Sequence, residues 1–442
     1  MRSLVAALAA VTLAVSACGG GTAPGGAGEG GRSVQLLVFG APEELAAYRT
    51  LAAAYEKSAG GARVRLIEAS DREDLIARLS TSIAGGAPPD VFLLNYRFYG
   101  QFAAKNAIEP VDARLGASKV VRPADLYPTV TEAFRWRGQQ LCLPSNVSSL
   151  AVYYNRTLFN KYGVAEPKAG WTWNDLIATA SALTRTADGA VVKGTESEAG
   201  APRVAVYGLG VEPTIIRVAP FVWSNGGEIL DNQQRPTRFT FDSPKARQAL
   251  RDFIDLRIAY GVVPTDEEVE AEDDESRFAN GRLAMLLSSR RVTTTFRQIK
   301  GFDWDVAPLP TYGKAAGILH SDAYCITRAS RAKDAAWKFV EYAVGPEGQR
   351  ILGGTGRSVP SHIAVSRSRT FLDPTKPPRN AQVFLDAIPT VRRVPTISTW
   401  PEIEDVTDGI LENALYRGDP LDQVIRDIDD KTRPLFARGQ NP

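Results

Sequence analysis

The sequence predicts an α/β protein with mainly parallel sheets, because strand-like and helix-like segments alternate from the start of the folded part. Val34 to Phe39 is a continuous apolar run of strand length, and Glu43 to Ser58 then places its apolar residues on one helical face. A second strand at Val64 to Leu66 and a second helical stripe from Leu75 to Ile83 follow, before the strand DVFLLN. This β-α-β-α-β order is typical of a parallel sheet with helices on its faces.

The length of the chain predicts more than one domain. The chain has 442 residues, too many for a single hydrophobic core. Its 44% hydrophobic and 23% charged residues are typical of a soluble globular protein. Lys and Arg number 52 against 50 acids, so no broad basic surface is predicted and nucleic acid is not an expected partner.

The N-terminus predicts export and a lipid anchor. Arg2 precedes an apolar stretch from Leu4 to Val15, which has the length of a signal-peptide core and is too short to span a bilayer. The order VSAC up to Cys18 resembles the lipobox of bacterial lipoproteins, and eight of the thirteen residues from Gly19 to Gly31 are glycine. We therefore expect a signal peptide at 1–17 and a flexible tether at 18–33, anchored through Cys18. The alternative is an ordinary secretory signal with an incidental cysteine.

The middle and the end of the chain are predicted to be largely helical. Thr172 with Asp175 resembles a capping box, and Ser243 before Pro244 opens a helical stripe that ends near Gly261. The run from Asp266 to Glu275 has eight acids in ten residues but lacks the turn glycine of a calcium loop, so a solvated surface segment is expected. Ile403 to Phe436 is predicted to form terminal helices.

The sequence offers little material for catalysis or for metal binding. His320 and His362 are its only histidines, and no HExxH, GxSxG, P-loop or GxGxxG pattern is present. Three cysteines cannot build a cysteine metal site once one is lipidated, so neither a metal nor a cofactor is predicted. Two carboxylates would suffice for a glycosidase, so an exported glycosidase is the enzyme alternative. A surface adhesin is the structural alternative.

Six segments together resemble one family, the extracellular solute-binding proteins that deliver carbohydrates to ABC importers and are relatives of the maltose-binding protein. The segments are GGAPPDVFLLNYRFYGQFAAKNAIEPV (85–111), LCLPSNVSSLAVYYNRTLFNKYGV (141–164), GWTWNDLIATASALT (170–184), WSNGGEIL (223–230), FANGRLAMLLSS (278–289) and DAAWKFVEYAVGPEGQ (334–349). The resemblance implies the type II periplasmic-binding-protein fold, with two lobes joined by hinge crossings. Lobe 1 is expected at 34–144 plus 322–358 and lobe 2 at 145–321 plus 359–442.

The resemblance implies a binding function without catalysis. We expect a monomeric lipoprotein outside the cytoplasm, held at the membrane by its lipid alone, that captures a sugar and presents it to permease subunits. An alternative ligand is a phosphorylated polyol such as glycerol 3-phosphate, with Arg97, Arg290 and Arg357 converging on the phosphate.

Ligand contacts are expected where strands end and where the crossings meet the cleft, because ligands of open sheets bind beyond the carboxyl ends of the strands. Some of these residues also have structural interpretations: Asn225 as turn chemistry, Trp400 as a core residue and Asn146 as a partner of backbone groups. The expected ligand-binding residues are Glu44, Asn95, Tyr96, Arg97, Asn146, Trp223, Asn225, Ser289, Arg290, Ser321, Asp322, Tyr324, Arg357 and Trp400.

A disulfide between Cys142 and Cys325 is also expected. Both cysteines remain after Cys18 is lipidated, and an exported protein folds in an oxidising compartment. In the resembled fold the first and second crossings run side by side, with Cys142 just before Pro144 of the first and Cys325 in the second. Two buried free thiols are the alternative.

Overall fold

The structure is a computed structural model that describes residues 33–58, 60–192 and 203–440. The expected signal peptide, the Cys18 anchor and the tether up to residue 32 lie outside the described residues. Within these ranges, no helix is both long and apolar enough to cross a bilayer.

Sixteen strands are present in the described residues. They are β1 Val34–Phe39, β2 Val64–Ala69, β3 Val91–Asn95, β4 Arg135–Trp136, β5 Gln139–Gln140, β6 Cys142–Pro144, β7 Asn146–Val147, β8 Leu150–Asn155, β9 Arg185–Thr186, β10 Val204–Val211, β11 Leu283–Ser289, β12 Trp304–Ala307, β13 Gly317–Ile318, β14 Asp322–Ile326, β15 Val359–Pro360 and β16 Val391–Arg392.

The same ranges contain eighteen α-helices. They are α1 Pro42–Lys57, α2 Arg72–Ala84, α3 Tyr96–Ala104, α4 Asp112–Ala117, α5 Pro128–Ala133, α6 Arg156–Tyr162, α7 Trp173–Leu183, α8 Ile215–Ser224, α9 Pro244–Ile258, α10 Asp266–Ala271, α11 Asp274–Ala279, α12 Thr293–Phe296, α13 Lys333–Val344, α14 Pro346–Thr355, α15 Ile363–Ser366, α16 Gln382–Ala387, α17 Trp400–Arg417 and α18 Leu421–Gln440.

The first sheet has the strand order β2-β1-β3-β14-β6. Strand β1 pairs in parallel with both β2 and β3, as the alternation of strands and helices predicts. Strand β14 comes from far along the chain and runs antiparallel to β3 and to β6. The opening β-α-β-α-β unit is therefore confirmed, and two antiparallel pairs complete its sheet.

The second sheet has the order β12-β8-β11-β10-β9, and only β10 and β11 pair in parallel. The expectation of a mainly parallel sheet is wrong for this half. Strand β8 enters directly from the first sheet through the short segments β6 and β7, without a crossover helix, and it lies antiparallel to β11 and β12. The α/β class and the two-lobe fold are confirmed, while the sheets themselves are mixed.

Three crossing segments run side by side between the two sheets. In the first, Asn146 and Val147 pair with Pro360 and Val359 of β15. Ser148 also exchanges backbone hydrogen bonds of 2.8 and 2.9 Å with His320. The residues that the family resemblance places at the hinge therefore do lie together.

The expected disulfide is confirmed. Cys142 on β6 and Cys325 on β14 are register partners, and their Cα atoms lie 4.4 Å apart. Both side chains are fully buried in the first sheet. The bridge covalently joins the first and second crossings next to the cleft.

Candidate ligand-binding cleft

The carboxylate of Asp322 is the centre of a polar network that joins three distant segments. Asn95 is its register partner at the end of β3 and donates from Nδ2 to Oδ1 at 3.1 Å. Asn146 donates from Nδ2 to the other carboxylate oxygen at 3.0 Å, and its own Oδ1 accepts from the backbone N–H of Asp322 at 3.0 Å. All three of these expected ligand residues therefore meet, and the amides fix the direction of the carboxylate.

Arg357 extends this network towards the first helix. Its guanidinium forms an ion pair with Glu44 and comes within 3.8 Å of Asp322. Glu44 lies in the first turn of α1, where its other carboxylate oxygen accepts from the backbone N–H of Ala41 at 3.1 Å. Burial lowers the pKa of Arg357 to about 10, so the guanidinium remains charged at neutral pH.

Two cavities open beside this network, at the ends of strands from both sheets. The main cavity has a volume of about 370 Å³, and the inner cavity, next to Asp322, about 50 Å³. Seven of the expected ligand residues line one or both of them: Glu44, Asn95, Arg97, Asn146, Ser289, Asp322 and Arg357.

Several residues that line the main cavity were missed by the sequence reasoning, among them Phe39, Arg72, Glu212, Arg217, Arg291 and His320. A signal for two of these was available. Arg72 lies three residues after the end of β2, and Glu212 directly follows β10. The rule that ligands bind beyond the carboxyl ends of strands predicts both residues, because it holds for β2 and β10 as well as for β1 and β3.

Trp223 is the largest correction to the expected site. It lies in α8 and has no exposed surface. The guanidinium Cζ of Arg392 packs over its ring, 4.6 Å from the ring centre. Trp223 lines neither cavity. The physical reason is that α8 is buried along its whole length and that its Trp223 end packs in the core, so the indole offers no face to a ligand.

Three more expected aromatic contacts are core residues. Trp400 donates from Nε1 to Glu404 at 2.8 Å, and the Tyr324 ring packs edge-on against Phe339. Tyr96 is fully buried and accepts a backbone hydrogen bond through its hydroxyl. Large rings bury much apolar area, and these three lie where a helix or a strand meets the core.

Arg290 is also placed away from the cavities. It is fully buried, with its guanidinium 4.3 Å from the Phe371 ring and 4.6 Å from the Phe384 ring. Burial lowers its pKa to about 9. The next residue, Arg291, lines the cavities instead, so Arg290 does not converge with Arg97 and Arg357 on one phosphate, as the alternative ligand would require.

The two remaining expected contacts have structural partners. Ser321 is buried in the crossing and donates from its hydroxyl to the Asn146 carbonyl oxygen at 2.6 Å. Asn225 ends α8 and donates to the Lys245 carbonyl oxygen at 2.9 Å, which is turn chemistry. Neither residue lines the cavities.

Most charges around the main cavity are paired. Arg97 forms a buried ion pair with Glu404, and Arg217 pairs with Glu212 at 2.6 Å. Arg217 in turn lowers the pKa of the Glu212 carboxyl. Burial first, and then the surrounding arginines, lower the pKa of His320 well below its ordinary value, so its imidazole is neutral at pH 7.

A third cavity of about 430 Å³ shares Glu212 and Arg291 with the main one and is bordered by the acidic run. Asp274 of this run is buried, and desolvation raises its pKa to about 7. The expectation of a wholly solvated acidic segment is therefore wrong for Asp274. The segment folds as α10 and α11, and α11 packs Asp274 inward against β10 and β11.

Comparisons with known proteins find relatives in sequence and solved structures with the same fold. The maltotriose-binding protein of Pyrococcus abyssi is 23% identical over 313 residues, covering 69% of this chain and 61% of that protein. A solved ABC substrate-binding protein of Listeria monocytogenes, in complex with cycloalternan, has a TM-score of 0.82 at 24% identity and covers 92% of this chain and 99% of that one. UgpB of Mycobacterium tuberculosis, in complex with glycerophosphocholine, has a TM-score of 0.78 at 21% identity, covering 92% and 99%.

The strongest assignment comes from the family model. The model of the bacterial extracellular solute-binding proteins matches residues 41–350, which include every strand of the first sheet except β1 and all of the second sheet. The chain, with the cleft between these sheets and the polar network on its crossings, therefore belongs to the bacterial extracellular solute-binding protein family.

Proposed function

We propose that this protein is the binding component of an ABC importer and captures a carbohydrate or a polyol in the main and inner cavities. The observation that carries the proposal is the Asp322 network at the hinge. Its carboxylate already accepts from Asn95 and Asn146, yet a carboxylate has about four acceptor positions, so it can also accept from ligand hydroxyls. The complexes of the structural relatives, and the maltotriose-binding relative, support a ligand of this class.

The proposed mechanism is closure of two lobes around the ligand. The lobe boundaries are those expected from the sequence, 34–144 plus 322–358 and 145–321 plus 359–442. Ser289 ends a strand of the second sheet and Asp322 begins a strand of the first, so one ligand can contact both. Contacts made with both lobes exist only in the closed form, and binding therefore shifts the population towards closure. The permease subunits then recognise the closed form.

We further propose that the protein works as a monomer, catalyses no reaction, and is anchored outside the cytoplasm through lipidated Cys18. The order of signal core, lipobox-like VSAC and glycine-rich tether supports the anchor. Mass spectrometry of the mature N-terminus tests it, and any first residue other than a lipidated cysteine contradicts it.

A thermal-shift screen tests the binding function. The protein is heated with neutral sugars, oligosaccharides, polyols and their phosphorylated or oxidised forms. A true ligand at a hundred times its Kd stabilises the folded protein by about 2.7 kcal/mol, which raises the Tm measurably. If no carbohydrate or polyol raises the Tm, the proposed function is wrong.

Matched variants locate the binding site. Ser70 is exposed and lines the main cavity, so Ser70→Trp is expected to obstruct it and to abolish the ligand-induced rise in Tm. Ser80 is an exposed serine of α2 that does not line the cavity, and Ser80→Trp should leave the rise unchanged. An equal rise in both variants would place the ligand elsewhere.

A further inference from the structure

The junction between the main and inner cavities is strongly basic. Six residues line both cavities: Phe39, Arg72, Ser289, Arg291, His320 and Arg357. Three of them are arginines, and no carboxylate is among them. The carboxylates each line only one of the two cavities: Glu44, Asp71, Glu73 and Glu212 line the main one, and Asp322 lines the inner one. A ligand that spans both cavities therefore passes a point at which positive charge dominates.

Arg72 differs from its two arginine neighbours because it has no counter-charge in contact. Arg291 forms an ion pair with Glu275, and Arg357 forms one with Glu44. The side chain of Arg72 makes neither an ion pair nor a hydrogen bond with any residue in the described ranges, and its Nε is buried without a partner. The structure thus places a guanidinium without an ion-pair partner at the wall of the cleft.

Two aromatic rings hold this guanidinium in position. Its Cζ lies 5.8 Å from the centre of the Phe39 ring and 5.1 Å from that of Phe98. The Cζ of Arg97 is also 5.1 Å from the Phe98 ring, so two positive charges share one aromatic side chain. Arg97 is neutralised by Glu404, whereas Arg72 has no such partner. Burial, followed by repulsion from Arg97, lowers the pKa of Arg72, although the charges of Asp322, Glu73 and Glu404 oppose the shift.

Neutral hydrogen-bonding groups complete the junction. Ser289 has a hydroxyl that can donate, and the buried Nε2 of His320 has no hydrogen-bond partner among the described residues. An arginine held by aromatic rings next to a hydroxyl and an imidazole is a typical arrangement for recognising a phosphate or a carboxylate, since the planar guanidinium can donate two parallel hydrogen bonds to it.

We propose that the ligand is an anionic carbohydrate or polyol whose phosphate or carboxylate group binds Arg72. This inference rests on the proposed function and specifies the ligand class at the same site. It also replaces the expected phosphate site of Arg97, Arg290 and Arg357, because Arg290 lies in the core and the other two have carboxylate partners.

Calorimetric titration with matched pairs of probes tests the inference. The pairs are glycerol with glycerol 3-phosphate, glucose with glucose 6-phosphate, and glucose with glucuronate, so phosphate and carboxylate are compared separately. In at least one pair, the anionic member is expected to bind the wild-type protein about tenfold more tightly or better. The variant Arg72→Gln should remove that advantage and change the affinity for the neutral member less than about threefold.

Arg78→Gln is the matched control. Arg78 lies on the same helix, is largely exposed and pairs with Asp74, so this variant should bind like the wild type. A measurement without any variant is competition by inorganic phosphate, with chloride at equal ionic strength as its control. Phosphate should weaken binding of the anionic probe to the wild-type protein, and chloride should not.

The outcomes separate this inference from the proposed function. If the neutral member of each pair binds the wild type as tightly as the anionic one, the inference is overturned and the binding function stands. Unchanged affinity of Arg72→Gln for the anionic probe overturns it as well. If Arg72→Gln does not fold, failure of phosphate to compete in the wild type has the same meaning. If no sugar or polyol of either charge binds, both proposals fail.

Discussion

The two ends of helix α8 show the difference between the cleft and the core beside it. Near its start, Arg217 lines the main cavity and pairs with Glu212. Two turns later, Trp223 is surrounded by the core and lines no cavity of the cleft. Both side chains are almost completely buried, so burial alone does not separate ligand contacts from core residues. The surroundings of the side chain separate the two groups, because a charged side chain in the cleft has a polar partner or an open volume beside it.

The largest expected effect tests the core end of this comparison. Trp223→Ala should lower the free energy of unfolding by about 3 to 5 kcal/mol, because a fully buried indole is replaced by a cavity. Its ligand affinity, measured below the lowered Tm, should change less than about threefold, since the residue lines neither cavity of the cleft. Urea denaturation and calorimetric titration provide the two numbers.

Trp223→Phe is the conservative control for this variant. It keeps most of the ring volume, so we expect it to recover more than half of the lost stability. A variant Trp223→Ala that is stable but has lost ligand binding would show that the tryptophan contacts the ligand and that the distinction between the two ends of α8 is wrong.

The second prediction tests the cleft side. Asp322→Asn is nearly isosteric, but the amide replaces a carboxylate that accepts from Asn95 and Asn146 and faces the inner cavity. We expect the ligand Kd to rise roughly 5- to 100-fold, which corresponds to the loss of one charge-assisted hydrogen bond. Titration of the purified variant with the best ligand of the thermal screen measures this change.

The matched control for Asp322 is Asp334→Asn. Asp334 lies in α13, where it forms a largely exposed ion pair with Arg114 at 2.7 Å, so its loss should affect neither the Kd nor the Tm appreciably. If Asp322→Asn bound ligand as the wild type does, the polar network at the hinge would be purely structural.

The sequence was sufficient for the parts of the site that follow from local order. Strand ends predicted Asn95, and the family resemblance brought Asn146, Asp322 and Arg357 together from three crossings, as the structure confirms. Aromatic residues were predicted less well. A tryptophan beside a glycine turn has the same local sequence whether it faces a sugar or the core, and only the packing of the neighbouring helices decides between the two.

The neighbouring arginines show a second limit of sequence reasoning. Arg290 and Arg291 lie in one short 3-10 helix after β11. Consecutive side chains of such a helix point in different directions. Arg290 therefore stacks on Phe371 and Phe384, while Arg291 reaches the cavities. Neither residue type nor position along the strand distinguishes them before the register is known.

The last prediction concerns the carboxyl group that binds the cleft end of α8. Asp408 on α17 accepts from the backbone N–H of Ile215 at 2.7 Å, at the first residue of α8. Burial, followed by repulsion from Glu404, raises the pKa of Asp408 to about 8, although Arg97 and Arg217 oppose the shift. The ordinary value in an unfolded chain is about 4, so the folded state binds this proton more tightly than the unfolded state does.

The sign of the pH dependence follows from this difference. The stabilising contribution of the Asp408 proton is fully present below about pH 4 and is lost as the pH rises to about 8. Asp408→Asn keeps an oxygen for the Ile215 N–H and cannot ionise, so the Tm of this variant should fall less between pH 5 and pH 8.5 than that of the wild type. Asp430→Asn, at an exposed position of α18, should retain the wild-type slope. Equal slopes in all three proteins would show that the Asp408 carboxyl does not contribute to the pH dependence of stability, and this prediction would be wrong.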